Sequence, residues 1–200
     1  MRSPPAPRLV RVSTPEEFRE PIPGDTADLG SRPPLHDACA PLRELVGVWR
    51  GEGEVDYPTI DGPFRFGQQV TVSHDGRPFL RHQARAWLLD AKGAVLRPAA
   101  WETGFWRPGT EGRVELLLTH ATGLVDLFHG SAQPGRWELE TDAVLGTPTA
   151  KQVEAARRTY ALSEDLLDYA ESRAMVGQPM TPHVSARLRR VPSGGRQDTP

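Results

Sequence analysis

Six histidines and one cysteine are the side chains of this sequence best suited to metal binding or nucleophilic attack: His36, His74, His82, His120, His129, His183 and Cys39. No two of the histidines stand two or four residues apart beside a carboxylate or the cysteine, the spacing that would present zinc ligands on one face of a strand or helix. The chemistry open to the chain is therefore that of a single imidazole. The best framed is His183, in Gly177-Gln-Pro-Met-Thr-Pro-His183, where Pro179 and Pro182 stiffen its approach. Lys151, in Pro148-Thr-Ala-Lys151, offers a cation, and Thr59, in Tyr57-Pro-Thr-Ile60, a hydroxyl. Taken alone, a lysine or threonine of this kind is an ordinary surface or turn residue, and a lone histidine is usually hydrogen-bonded or solvated.

The elements that must hold these residues follow from punctuation and alternation. Turn signals recur at Asp61-Gly62, Asp75-Gly76, Lys92-Gly93, Pro108-Gly109, Thr122-Gly123 and Pro134-Gly135, which argues for successive antiparallel hairpins. Between them Val114, Leu116 and Leu118 share one face, and Trp137, Leu139 and Thr141 oppose Glu138, Glu140 and Asp142. Segments 158–162, 166–171 and 183–190 supply the closing strands. The fold class is all-β: about ten strands in an antiparallel up-and-down barrel, because a meander of that size either closes or leaves exposed edges. A short capping helix is expected over 35–46, where Leu35, Cys39, Leu42, Leu45 and Val46 recur at helical spacing. Strict alternation puts His183 with Ser185, Arg187 and Arg189, away from Val184, Ala186 and Leu188. A histidine at the very start of the last strand escapes that rule by lying at the mouth.

Three glycines around an indole, Gly47-Val-Trp49-Arg-Gly51-Glu-Gly53, suit a sharply bent strand at a barrel corner, with Trp49 as packing beneath it. This motif, the Gly-Gln-Pro-x-x-x-His segment ending at His183, Gly104-Phe105, the run 115–123, and Pro148-Thr-Ala-Lys151 with Val153 together resemble the nitrobindin family over roughly residues 36–190. That resemblance implies one haem b per chain, with His183 as axial ligand of the iron, and Lys151 and Thr59 as further haem contacts. It also implies isomerisation of peroxynitrite to nitrate at ferric haem and binding of nitric oxide, with no catalytic residue beyond the haem iron. The alternative is a non-enzymatic barrel that carries a small apolar ligand or senses nitric oxide without turnover. On this alignment Ala99, Ala100 and Arg173 line the open-face pocket. Relatives often have a bulky apolar residue and a histidine at the first two positions, and methionine at the third. An inward Arg173 would need a propionate, a carboxylate or water, and Trp101 and Trp106 could refill the volume lost at the alanines.

Composition bounds the rest. A chain of 200 residues suits one domain with extensions. We divide it into a proline-rich extension over 1–34, disordered or loosely docked through Phe18 and Ile22; a barrel over 35–191; and a tail over 192–200. A formal charge of −2 favours neither nucleic acid nor an acidic membrane surface, and no apolar run reaches membrane-spanning length. One cysteine excludes an internal disulfide and suits a cytoplasmic protein. The partners expected are small molecules, with monomer and homodimer both open.

Overall fold

The alternating segments and glycine turns become ten strands in the computed structural model, which describes residues 24–193. In chain order they are β1 (Gly47–Val55), β2 (Phe64–Ser73), β3 (Leu80–Leu89), β4 (Val95–Pro108), β5 (Arg113–His120), β6 (Leu124–Gln133), β7 (Arg136–Gly146), β8 (Val153–Ser163), β9 (Leu166–Met175) and β10 (Gln178–Val191). Each pairs antiparallel with the next, and β1 also pairs with β10, so the meander closes into a barrel with no free edge. All six turn dipeptides fall between consecutive strands or at a strand end, as their chemistry demands. At the β9–β10 turn Val176 and Gly177 both have positive φ, 52° and 75°.

One end of the barrel is plugged. The capping segment is a 3-10 helix, Asp37–Leu45, in which Pro41 cannot donate a backbone hydrogen bond, and its buried side chains are Cys39, Leu42 and Leu45. Three fully buried indoles fill the floor. Trp49 donates its N–H to the Leu45 carbonyl at 2.8 Å and Trp137 to that of Pro41 at 3.0 Å, so two of them tie barrel to helix. The glycines of β1 have a clear steric purpose. A Cβ on Gly51 would lie 2.1 Å from the Arg187 carbonyl oxygen, and one on Gly53 would lie 2.2 Å from that of Ser185 and 2.6 Å from the Phe66 ring. Only glycine lets β1 and β10 approach this closely under the bend.

Residues 24–34, the part of the N-terminal extension that is described, lie against the plugged end. Thr26 forms an isolated bridge with His74, and Asp25 pairs with Arg81 at 2.7 Å and accepts from Ser73 at 2.5 Å. Phe18 and Ile22, with the rest of 1–23 and residues 194–200, lie outside the described residues. No described helix is long and apolar enough to cross a membrane.

Candidate functional site

The opposite end of the barrel is open, and His183 lies in its rim. It is not at the start of the last strand, as the sequence suggested, but the sixth residue of β10. Its facing is set by a β-bulge: Pro182 pairs with Ser172 and Val184 with Glu171, neighbours on β9, so His183 is an extra residue without a direct partner. A bulge interrupts the two-residue period and re-aims one side chain. Ala186 and Leu188 are buried and Val184 packs on the core, while half-buried His183 escapes the outward face that alternation assigned to it.

Two contacts from the β1–β2 loop hold the ring. Tyr57 stacks on the imidazole with centroids 4.0 Å apart and planes 14° from parallel, and the Asp56 N–H donates to the His183 carbonyl at 3.2 Å. Stacking covers a face of the ring but leaves its in-plane nitrogen lone pair free. Burial, together with the cations Arg173, Lys151 and Arg158, outweighs the opposing pull of Glu171 and pushes the His183 pKa down to about 4. The ring is therefore neutral at physiological pH, the form that ligates a metal.

Beneath the mouth the barrel holds a chain of ion pairs. Arg158 of β8 reaches Glu102 of β4 at 2.7 Å and Glu171 of β9 at 2.5 Å. Arg173 joins the same Glu171 to Asp126 of β6, the latter at 2.9 Å. Tyr169 donates to Glu171 at 2.8 Å. Arg173 thus points inward and meets carboxylates, one of the three partners the sequence required of it. Burial raises the pKa of Glu171, but Arg158 and Arg173 reverse this and hold it at about 2; the same contest leaves Glu102 well below the usual carboxylate range.

The remaining expected residues are less gathered. Lys151 and Thr59 are exposed in the loops after β7 and β1, on the open end, and of the two it is Lys151 whose charge acts on His183. Ala99 and Ala100 are exposed where β4 bulges against β3, with Arg85 paired to Trp101 and Trp87 to Pro98. Neither tryptophan refills their volume. Trp101 lies on the outer wall under the Arg85 guanidinium, 5.0 Å from the ring centre, and Trp106 is fully buried, bonded to His82. Sequence reasoning missed Tyr57, His120, Asp126, Glu102, Arg158 and Glu171. A signal existed for some: Arg158 alternates with Ala156 and Tyr160, and Glu171 with Tyr169 and Met175, placing charge in an inward register. Nothing local marks Tyr57.

The donor set fits a metal that arrives already chelated. Among the described residues no three histidine, cysteine, aspartate or glutamate side chains gather into a metal site. A single neutral, oriented imidazole is what a porphyrin iron asks of a protein, since the macrocycle fills four positions itself. At the same end an apolar cluster of Leu124, Val153 and Met175, with Val144 and Ala150, lies above the ion pairs of Arg158 and Arg173. Two hollows of about 450 and 630 Å³, lined by residues such as His129 and Glu140 or Glu52 and Arg65, lie on the outer wall and do not include His183.

Residues 38–190 match the model of the THAP4-like, heme-binding beta-barrel domain. The chain is 50% identical over 166 residues to a peroxynitrite isomerase of Streptomyces griseus, covering 82% of this chain and 90% of that one. It is 49% identical over 154 residues to a peroxynitrite isomerase of a Nocardioides species, covering 77% and 93%. The crystal structure of Rv2717c from M. tuberculosis superposes with a TM-score of 0.71 at 35% identity, covering 79% of this chain and 99% of that one.

Proposed function

Because this chain belongs to the THAP4-like, heme-binding beta-barrel family, we propose that it binds one haem b at the open mouth and isomerises peroxynitrite to nitrate there. The observation that carries this reading is the bulged His183, neutral and stacked on Tyr57 at the open rim. In this reading His183 would hold the iron through one ring nitrogen. Lys151 and Thr59, exposed on the same end, are the candidates for the propionates, and Ala99 and Ala100 leave the other side of the rim uncrowded. Bound there, ferric haem supplies an iron at which the O–O bond of peroxynitrite can break and its atoms recombine as nitrate.

The chain's own contributions are positional. His183 offers one nitrogen and Tyr57 keeps its plane fixed. The apolar rim excludes water and slows escape of reactive fragments, and the ion pairs beneath stop the ligand from sinking further. No side chain is assigned the role of general acid or base. Nitric oxide, small and neutral, would be a second ligand for iron held there, and the setting we expect is the cytoplasm.

Reconstitution with haemin tests the reading. The parent should give a sharp Soret band and His183→Ala a weak, broad one; identical weak spectra would leave a barrel that carries some other apolar ligand. Stopped-flow decay of peroxynitrite should then be faster with the haem form than with the apo-protein, and equal rates would reduce the protein to a binder of nitric oxide.

A further inference from the structure

We propose that His120 is a positioning residue of this site: an imidazolium shared between Asp126 and Glu102, whose proton sets the charge of the cavity floor and with it the affinity for anionic ligands. The inference rests on the haem reading for its consequence, but the charge assignment stands on the protein alone.

The groups of the floor do not balance without it. Glu102 of β4, Asp126 of β6 and Glu171 of β9 face Arg158 of β8 and Arg173 of β9, three carboxylates against two guanidiniums. An unmatched charge in this interior is expensive, so a cation must be found nearby. Besides His183, which burial keeps neutral, two histidines face the cluster, and the hydrogen bonds distinguish them. The Trp106 indole N–H, which can only donate, lies 3.2 Å from His82 Nδ1, so that nitrogen carries no proton. His82 therefore keeps its single proton on Nε2 and donates it to Glu102 Oε1 at 3.1 Å. It is neutral and adds nothing to the balance.

His120 has a carboxylate at each nitrogen. Nε2 lies 2.9 Å from Asp126 Oδ2 and Nδ1 lies 3.5 Å from Glu102 Oε2. Only the first of these is a hydrogen bond, but each nitrogen faces a carboxylate, and as an imidazolium His120 brings the six charged groups to a sum of zero. Asp126 is completely buried, whereas the His120 side chain, the last of β5 at the open end, keeps 12% of its surface. The proton can therefore exchange with solvent through the mouth. Asp126 Oδ2 is shared between His120 and Arg173, while its Oδ1 is buried with no hydrogen-bond partner. Loss of the His120 proton leaves the floor with one net negative charge. A charge at roughly 10 Å in a medium of effective dielectric about 20 changes the affinity for an anion roughly tenfold.

Two measurements test this. In histidine-labelled apo-protein at neutral pH, nitrogen NMR should find both ring nitrogens of His120 protonated; a neutral His120 overturns the proposal without any substitution. In the ferric haem form, azide affinity should fall roughly tenfold as pH rises through the His120 titration, and His120→Gln should show no such step, while neutral nitric oxide binds with no step in either protein. An azide step that persists undiminished in His120→Gln also overturns it. Failure to take up haem at all would overturn the haem reading instead, with the NMR result still deciding the charge assignment.

Discussion

At the scale of single residues, Arg173 and His183 make opposite use of burial. Arg173 is tolerable inside because Glu171 and Asp126 meet it, and removing it leaves Asp126 with His120 alone and Glu171 with Arg158 and Tyr169. Arg173→Ala should cost about 3–5 kcal/mol, as expected when one partner of a buried ion pair is deleted, read from urea unfolding of the apo-protein. The same substitution removes a cation acting on His183, so the His183 pKa should rise, measurable by NMR titration. His183 itself links folding to pH. Its value falls from an ordinary 6.5 to about 4 in the folded protein, so the unfolded chain takes up the proton first. The part of the stability that His183 contributes is complete above about pH 6.5 and declines as pH falls from there towards 4. The denaturation midpoint of the apo-protein should show this decline, and His183→Phe should lack it.

At the scale of the element, the last strand delivers its function by breaking its own rule. Period-two reading of β10 turned His183 outward, and the pairing of Pro182 with Ser172 and Val184 with Glu171 turned it back, because a bulge resets the pleat. The partner across the corner must be equally well placed, which makes the glycines of β1 part of the site's support. Gly53→Ala would push a methyl group into the Ser185 carbonyl, the Phe66 ring and Ala186, two to three residues from the bulge. We expect a loss of about 1–3 kcal/mol in stability and a weaker Soret band on reconstitution, since overpacking here is relieved only by moving β10. Gly24→Ala, where an added Cβ meets nothing within 4 Å, should leave both unchanged.

At the scale of the molecule, closure divides the barrel into a structural end and a working end. Leu42, Leu45, Trp49 and Trp137 close the first, and His183, Tyr57 and Lys151 lie at the second. Leu42→Ala should therefore cost about 2–5 kcal/mol yet leave the Soret maximum of the reconstituted protein unmoved, because sites with no shared partner add independently. A Soret shift in that variant would mean the two ends are coupled. The sequence by itself determined the strand count, the turns, the capping segment and the lone-histidine motif, since alternation, glycine turns and short motifs are properties of neighbours along the chain. Only the tertiary structure decided which way His183 faces, that Tyr57 covers it, and that Glu102, Asp126, Arg158, Glu171 and Arg173 share one interior. A bulge is a mismatch between two strands, written in neither alone. A buried ion pair such as Arg158 with Glu102 joins residues 56 apart in the chain, whose meeting depends on how far around the barrel each strand has travelled when the ring closes.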